Sequence, residues 1–493
     1  MNLKSRILEN KKYLLIYLIL IIGLTFLMLG PKNYQYWGFE AVSIPIIIII
    51  GLAGILYSYD KKIELHKIAL IFIIVCGLLM VFLGPPMAFL DESAHFTRAE
   101  LLSEGIITPE KNENGYEVNN YFFGLNQPQK GLTVFDNPAV NNQINDSKGN
   151  WSFTTTTPFY SYIPSAIGII IAKFLDLTAI YALLFARLCN LLVYAGVAYY
   201  TIKKVPAFKI GLTVIATMPL VITQVASTSY DAFIFTFTLI ILYYFIKMYK
   251  EKATDRDISI FYIAVLLISL IKPPLCILSI LAIIIPQENL ERNKNYYLTG
   301  IALVFLATVF LNESVLNMLL PSLHAASANS SFPSNISPSG QMNYLLNNPL
   351  AILNLLKYII TSIPNVFVID LTIFHYADFK GLKFYNLAYA LFFIIFSIFY
   401  KKDIILSKNQ RIILLIMLVL SYLGIYGIFY LTYTPVGASE ILGVQARYFI
   451  PVIALLPLII SYDEKSREEY NYLMMFIVLF LSGLILLTIT HYY

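Results

Sequence analysis

Runs of apolar residues recur from one end of the 493-residue chain to the other. A helix of roughly 20 such residues crosses a hydrocarbon core of about 30 Å, where no water is present to hydrogen-bond an irregular backbone. The pattern predicts an all-α, polytopic transmembrane helical bundle of about thirteen spans. We read the spans at about 13–29, 41–58, 66–83, 178–201, 210–226, 230–248, 258–271, 274–286, 296–312, 384–400, 411–431, 447–461 and 472–490.

The composition agrees with that architecture. Hydrophobic residues make up 58% of the chain and charged residues 13%, with a mean hydropathy of +0.71. A soluble domain has about 25% charged residues with which to wet its surface. The apolar runs leave no separate soluble domain between them, so we predict one integral membrane domain over 1–493.

The net charge argues against nucleic-acid binding, and the positions of the cysteines argue against disulfides and thiolate metal sites. A charge of +5 is modest, and excess Lys and Arg collects in the cytoplasmic loops of membrane proteins, so we predict no nucleic-acid partner. The three cysteines, Cys76, Cys189 and Cys276, all lie inside apolar runs. That placement supports neither a disulfide framework nor a thiolate metal site.

The basic residues predict the orientation. With the N-terminus inside, 22 of the 34 Lys and Arg fall in or beside seven short inside segments, such as "KKVPAFK" and "KKDIILSKNQR", as the positive-inside rule requires. The stretch 158–175 is also apolar, but counting it as a span would invert every later loop. We therefore interpret 158–175 and 349–372 as re-entrant or interfacial helices.

This threading gathers the polar segments on the outer side. Two large loops lie there. The first, 84–158, carries the acidic motif and bears short helices, and the second, 313–383, has interfacial helices. The short segments "SYD" (229–231), "KPP" (272–274) and "GVQARYFIP" (443–451) join them. An ionisable group beside lipid is costly unless it snorkels, pairs or serves a site. We therefore predict a cavity open to the exterior.

The stretch "GPPMAFLDESAHFTRAELLSEG" has the densest cluster of ionisable groups. Its two prolines end the preceding helix. A new helix then places Asp91, His95 and Arg98 on one face, whereas Glu92 points about 100° away. A carboxylate at a low-dielectric boundary can act as a general base, and a neighbouring acid and histidine can tune its protonation or hold a metal. The alternative is a solvated acidic helix end.

Basic residues at the predicted outer ends of spans are candidates for binding phosphate. Lys272 precedes two prolines that leave its ammonium group at the interface, where the alternative is ordinary snorkelling. Arg447 lies between Gln445 and Tyr448 at the start of a span. Its guanidinium has the geometry to hold a phosphate through two hydrogen bonds.

Four further polar residues are candidates: Asp231 and Arg187 at helices, and His324 and His375 in outside segments. Asp231 follows Tyr230 and opens a helix, so capping that helix is the alternative to a role in the site. Arg187 lies inside "LLFARLCN", where snorkelling explains it poorly. His324 and His375 have no partner at metal-ligand spacing, and we interpret both as solvated or hydrogen-bonded.

Five segments together resemble the signature of a known family: "PPMAFLDESAHFTRAELLSEG", "ASTSYDAFIF", "SLIKPPLCIL", "SPSGQMNYLLNNP" and "GVQARYFIPVIALLP". This is a bacterial family of predicted membrane proteins, known only as a domain of unknown function and grouped with the GT-C glycosyltransferases. The resemblance covers about 80–460. Two departures are an extra pair of spans before the acidic loop and Leu90, which stands where the family usually has proline before Asp-Glu.

The resemblance implies a glycosyltransferase in the bacterial cytoplasmic (inner) membrane, with its active site on the extracytoplasmic side. GT-C enzymes carry an Asp/Glu motif in the first large exterior loop and use polyprenyl-phosphate sugars as donors. Asp91 then becomes the general base. Glu92 becomes its catalytic partner, which orients the acceptor or, with Asp91, binds a divalent cation, Mg²⁺ or Mn²⁺. That metal requirement is left open, and no other cofactor is implied.

The expected reaction moves the sugar, with inversion, onto a cell-envelope glycan or lipid-linked precursor. Its partners are therefore the polyprenyl-phosphate-linked donor, the acceptor and membrane lipids. The departing phosphate needs positive charge. We assign substrate binding to His95, Arg98, Tyr230, Asp231, Lys272, Gln445, Arg447 and Tyr448.

Two other functions remain open. A lipid-linked oligosaccharide polymerase or ligase would use the same basic groups against a pyrophosphate, without a requirement for Asp91. A polysaccharide flippase or transporter would have charged or broken helices at the bilayer midplane and an internal repeat. The sequence has no convincing repeat, which disfavours the transporter.

Overall fold

The structure is a computed structural model, and helices dominate it. It describes residues 3–29, 39–58, 64–126, 138–144, 147–152, 154–312, 335–364, 382–399, 403–460 and 470–492. The helices are α1 (Leu3–Leu29), α2 (Phe39–Ser58), α3 (Leu65–Leu83), α4 (Glu92–Ser103), α5 (Tyr121–Leu125), α6 (Ile163–Phe174), α7 (Ala179–Lys204), α8 (Lys209–Ala216), α9 (Pro219–Val225), α10 (Asp231–Lys250), α11 (Asp255–Ile271), α12 (Leu281–Ile284), α13 (Lys294–Leu311), α14 (Pro338–Asn347), α15 (Pro349–Thr361), α16 (Leu382–Phe399), α17 (Lys408–Thr432), α18 (Ile450–Ile453), α19 (Leu456–Ile459) and α20 (Tyr470–Tyr492).

Local sequence signals mark several helix ends. The α11 helix begins with a capping box, in which the Thr254 side chain accepts the Asp257 N–H and the Asp257 carboxylate accepts the Thr254 N–H. Ser407 and Gln410 form the same motif at the start of α17. The α3 helix ends directly before the two prolines of the acidic stretch, as the sequence predicts.

A small sheet interrupts the helical pattern in the loop 84–158. Its strands are β1 (Lys111–Asn112), β2 (Gly115–Asn119) and β3 (Lys148–Trp151), all antiparallel, with β2 in the centre. Tyr116 pairs with Lys111 on one side and with Trp151 on the other. The sequence predicts short helices here, and α4 and α5 are present. It does not predict the sheet, because strands of two to five residues leave little periodicity to detect.

The chain divides into two compact units. The first comprises Met1–Leu239, Thr372–Phe392 and Arg467–Tyr493, and the second comprises Ile240–Leu371 and Phe393–Ser466. In the first, α7 packs against α3 and α6, and α20 packs against α1 and α2. In the second, α11 and α13 pack against the 3-10 helix Pro273–Ile280. Each unit contains helices long and apolar enough to cross a membrane. The single integral membrane domain over 1–493 stays a prediction.

The all-α membrane architecture is confirmed, but the count of thirteen spans is not. Among the described residues, seven helices are long and apolar enough to cross a membrane, namely α1, α3, α7, α10, α13, α17 and α20. The predicted span 210–226 is broken into α8 and α9, because Pro219 starts a new helix. The predicted span 447–461 is likewise divided into one 3-10 turn and the short helices α18 and α19.

The two stretches interpreted as re-entrant or interfacial contain short helices. A 3-10 turn at Phe159–Tyr162 leads into α6, of 12 residues, and α15 has 13 residues. At about 1.5 Å per residue, neither α6 nor α15 alone crosses a core of about 30 Å. Residues 365–372 of the second stretch, like most of the loop 313–383, lie outside the described residues.

Candidate functional site

The segment that connects α3 to α4 has two residues in the left-handed backbone region. Met87 and Asp91 both have φ of +57°, a conformation that Asp tolerates better than most residues. The carbonyl of Asp91 accepts the N–H groups of Ala94 and His95, 3.1 and 3.2 Å away. Asp91 therefore precedes α4 and is half-buried, rather than lying on the helical face that the sequence predicts for it.

The next residue has a different environment, because Glu92 is buried against α7. Arg187 donates from Nε to Glu92 Oε1 at 2.8 Å and from Nη2 to Oε2 at 2.6 Å. Both side chains are completely buried. The remaining donors of Arg187 reach the carbonyls of Val81, Gly84 and Pro85 at 2.7 to 3.0 Å. One arginine thus holds the end of α3 and the start of α4 on α7.

The segment before α10 also docks on the start of α4. The backbone N–H of Thr228 donates to Glu92 Oε1 at 3.3 Å, and the Thr228 hydroxyl donates to the Glu92 carbonyl at 3.4 Å. Asn190 of α7 donates to the neighbouring Ser227 carbonyl at 2.8 Å. These contacts bring the "SYD" segment beside the acidic stretch, as the threading predicts within this unit.

A buried hydrogen-bond chain starts at His95. Its Nδ1 lies 2.9 Å from the hydroxyl of Tyr162, which lies 2.8 Å from the hydroxyl of Thr157. The ring of Tyr230 packs edge-on against the His95 ring, with 4.8 Å between centroids. His95 is thereby fixed among α4, the 3-10 turn before α6 and the segment before α10.

Arg98 lies one turn further along α4. Its guanidinium stands 5.8 Å above the centre of the Tyr162 ring, so His95 and Arg98 share a helical face, as predicted. Arg98 also donates to the carbonyls of Thr157 and Ile106. These bonds fasten α4 to its own loop. Its assigned role in substrate binding stays a prediction.

The start of α10 is capped, which is one of the two roles that the sequence leaves open for Asp231. Ser229 Oγ accepts the N–H of Asp231 at 3.1 Å and donates to Asp231 Oδ2 at 3.2 Å. The Asp231 side chain is completely buried, although it begins the helix. The Asp231 carboxylate therefore lies at the capped start of α10, next to Tyr230, whose ring contacts both His95 and Tyr162.

A second polar cluster, which the sequence analysis does not identify, lies at the far end of α4. Lys173 of α6 lies 3.3 Å from Glu100 Oε1 and 3.4 Å from Glu104 Oε1, and Lys148 of β3 pairs with the other Glu104 oxygen. Asn119 of β2 donates to both glutamates. Burial raises the pKa of Glu100 to about 7.

The described residues do not fit a metal site. They contain no group of three or more His, Cys, Asp and Glu side chains placed to hold a metal ion. Both oxygens of Glu92 already accept hydrogen bonds from Arg187, which leaves the carboxylate little capacity to ligate a cation. The predicted Asp91–Glu92 metal pair therefore finds no support here, and no chemical step is assigned to a metal.

The predicted basic residues of the second unit come together on one aromatic ring. The Lys272 ammonium lies 3.3 Å from the centre of the Tyr448 ring, and the Arg447 guanidinium lies 5.4 Å from it. Lys272 is 9% exposed and Arg447 2%. Gln445 precedes the short 3-10 turn that carries Arg447 and Tyr448. Two buried cations thus lie beside one aromatic ring, and their assignment to a phosphate stays a prediction.

The predicted site residues are divided between the two units. Asp91, Glu92, His95 and Arg98 lie in the first with Tyr230 and Asp231. The group around Lys272 and Arg447 lies in the second. A common compartment for both groups stays a prediction. His324 and His375 lie outside the described residues.

Sequence reasoning overlooked several residues that organise the site. Tyr162 and Thr157 complete the His95 chain, and no sequence signal separates this tyrosine from the 36 others. Lys173 gives a weak signal, because it is a charge near the end of an otherwise apolar run. Arg187 is conspicuous inside its span, but its partner could not be inferred from spacing, since Glu92 lies on another element.

Comparison with known proteins places the chain in a family. Residues 74–456 match the model of a family described as a predicted membrane protein and designated DUF2142. No curated protein and no solved structure matches the chain. The matched region contains α4, the segment before α10 and the Lys272–Tyr448 contact. Because it covers most of the 493 residues, the chain belongs to the DUF2142 family of predicted membrane proteins.

Proposed function

We propose that the protein is a GT-C-type glycosyltransferase whose active site faces the extracytoplasmic side of the membrane. It moves a sugar from a polyprenyl-phosphate donor onto a cell-envelope glycan or a lipid-linked precursor. Asp91 is the general base. Two things support this function: the residues of the acidic stretch and the resemblance of the five sequence segments to the family.

The observation that carries the proposal is the different environment of two adjacent acids. Glu92 is completely buried and holds Arg187 with both of its oxygens. Asp91 is half-buried and lies in a left-handed conformation at the mouth of α4. Backbone outliers of this kind cost about 1–3 kcal/mol and cluster at functional sites. The pair therefore separates a completely buried, ion-paired carboxylate from one that is partly exposed, and we assign the chemistry to the second.

The reaction needs proton transfer at one end and charge neutralisation at the other. Asp91 removes the proton from an acceptor hydroxyl as that oxygen forms a bond to the anomeric carbon. The bond between the anomeric carbon and the phosphate oxygen breaks, and the polyprenyl phosphate departs with the electron pair. Attack from the face opposite the leaving group inverts the anomeric centre.

Two groups of residues have supporting roles in this proposal. Lys272 and Arg447, both buried against Tyr448, neutralise the departing phosphate. The buried carboxylate of Asp231 and the His95–Tyr162 chain lie near the Tyr230 ring. We assign them to hydroxyl groups of the sugar or the acceptor, because carboxylate and imidazole groups form hydrogen bonds with hydroxyls.

The test is transfer activity of the Asp91→Asn variant. Asn tolerates the left-handed conformation as well as Asp does, so the variant should fold. We expect its transfer rate to fall by about 10²- to 10⁴-fold, the usual contribution of a general base. The assay uses purified protein in lipid nanodiscs with a panel of polyprenyl-phosphate sugars and detects product by mass spectrometry.

The matched control is Glu110→Gln, which changes an exposed acid in the same loop. It should keep the wild-type rate. Full activity of Asp91→Asn would remove Asp91 as the base and favour a reaction that needs only the basic groups.

A further inference from the structure

An apolar groove opens beside the buried group of His95, Tyr162, Tyr230 and Asp231, hereafter called the polar cluster. It has a volume of about 210 Å³. Its walls come from the 3-10 turn before α6, from the start of α6, from α7 and from the first turns of α10. They include Tyr160, Ile163, Val193, Phe233 and Phe237. The walls are almost entirely apolar, so the groove offers little hydrogen bonding to a sugar or a peptide backbone.

The elements around the groove are those of a membrane-embedded surface. Both α7 and α10 are long and apolar enough to cross a membrane. The outer face of α6 exposes Ile167, Ile170 and Phe174, the last with 86% of its surface exposed. Exposed apolar residues of this size on helices of a membrane protein face lipid rather than water. A ligand of the groove therefore enters it from the hydrocarbon of the bilayer.

One end of the groove adjoins the polar cluster. Tyr160 lines the groove, whereas Tyr162, two residues later, binds His95. Phe233 lines the groove two residues after the buried carboxylate of Asp231. The rings of Tyr160 and Phe233 are 5.4 Å apart. A molecule that occupies both regions needs a hydrocarbon part and a polar end.

We propose that this groove holds the section of the donor's polyprenyl chain nearest to the phosphate. The inference rests on the proposed function, which supplies a lipid with a polar end. Ligand pockets that enclose a whole small molecule measure about 300–1,000 Å³. The groove therefore accommodates only a section of the chain, and the remainder stays in the bilayer. Binding of that section in the groove sets the depth in the membrane at which the anomeric carbon of the sugar lies beside the polar cluster.

The experiment maps where the chain binds. Purified full-length protein in lipid nanodiscs is irradiated with a polyprenyl phosphate that carries a diazirine in the isoprene units next to the phosphate. Crosslinked peptides are then identified by mass spectrometry. We expect crosslinks on the peptides that contain Tyr160–Pro164, Asn190–Val193 and Ala232–Phe237.

A pair of neighbouring substitutions gives the matched control. Val193 lines the groove and is 46% exposed, whereas the adjacent Leu192 does not line it and is 50% exposed. We expect Val193→Trp to lower the groove crosslinks about tenfold, because the larger side chain occupies the space that the polyprenyl chain would fill. Leu192→Trp should leave them unchanged. Val193→Phe replaces Val193→Trp if the larger side chain prevents folding.

Several outcomes would overturn the inference. One is equal crosslinking of Val193→Trp and Leu192→Trp, and another is crosslinking concentrated on helices that do not line the groove. A third is full displacement of the probe by phosphatidic acid at equal concentration, which would make the groove a general acyl-chain site.

The inference and the proposed function can fail separately. Asp91→Asn should crosslink like the wild type, because it leaves the groove intact. If Asp91→Asn keeps full transfer activity while the crosslinks still map to the groove, only the role of Asp91 is lost. If Asp91→Asn is inactive and the crosslinks lie elsewhere, only the groove is lost.

Discussion

The carboxylate of Glu92 and the guanidinium of Arg187 meet through two hydrogen bonds of 2.8 and 2.6 Å, and neither side chain reaches the surface. The same guanidinium satisfies three carbonyls around the end of α3. It also stands over the Phe89 ring at 4.6 Å. This pair therefore determines how the acidic stretch leaves the membrane helices and where Asp91 lies.

Removing one partner of this pair should destabilise the fold strongly. In Arg187→Met, the Glu92 carboxylate stays buried without its cation, and such changes cost about 3–5 kcal/mol. We expect the thermal unfolding temperature of the detergent-solubilised protein to fall well below that of the wild type. Fluorescence-detected size-exclusion chromatography after heating gives the measurement.

The control for that prediction is an ion pair that is exposed to solvent. Arg292 and Asp255 are 2.9 Å apart but about half exposed, and exposed pairs contribute about 0–1 kcal/mol. Arg292→Met should therefore unfold close to the wild-type temperature. Equal effects of Arg187→Met and Arg292→Met would show that the buried pair has no special role.

Local sequence patterns predicted much of the helical framework. The long apolar runs became helices, and the two prolines ended α3 where expected. The spacing of three residues correctly placed His95 and Arg98 on one face of α4, where both contact Tyr162. Helical periodicity and proline chemistry are properties of neighbouring residues, so a single sequence contains them.

Long-range relationships could not be predicted in the same way. Glu92 and Arg187 are 95 residues apart, and neither spacing nor composition pairs one acid with one base. The predicted position of Asp91 on a face of α4 was wrong, because its left-handed backbone places the residue just before that helix. The breaks at Pro219 and within 447–461 show how a proline divides a run whose hydropathy alone suggests a span.

Replacing Lys272 or Arg447, the two buried cations beside Tyr448, should weaken binding of the lipid phosphate. Hydrogen bonds to charged groups contribute about 1.5–3 kcal/mol, so Lys272→Met and Arg447→Met should each raise the Kd for polyprenyl phosphate by about 10- to 100-fold. Binding is measured with a fluorescent polyprenyl phosphate in nanodiscs. Lys252→Met, which removes an exposed cation of the same unit, serves as the control and should leave the Kd unchanged. Wild-type affinity in both test variants would exclude this cluster as the phosphate site.

The cluster at the far end of α4 should make stability depend on pH. The folded protein keeps the Glu100 proton up to about pH 7, whereas the ordinary pKa is 4.5. Between these values the folded state binds more protons than the unfolded state, so stability falls as the pH rises from 4.5 to 7. We expect a loss on the order of 1 to 3 kcal/mol from this group.

The variant Glu100→Gln should flatten that part of the pH profile, because it cannot ionise. Thermal unfolding is measured at intervals between pH 4.5 and pH 7, and Glu117→Gln, an exposed acid on β2, is the control that should keep the wild-type slope. A slope unchanged by Glu100→Gln would assign the pH dependence to another group.

Cysteine accessibility should place α14 and both ends of α15 on the outer side. In a chain whose three native cysteines are replaced by alanine, Ser339→Cys and Thr361→Cys introduce thiols at two exposed positions. A membrane-impermeant maleimide added to intact cells should label both, because the 13 residues of α15 are too few to cross the hydrocarbon core. Ser259→Cys, near the start of α11, should be labelled only after the membrane is permeabilised. Labelling of Ser339→Cys without Thr361→Cys would mean that this segment crosses the membrane, and labelling of Ser259→Cys in intact cells would invert the predicted orientation.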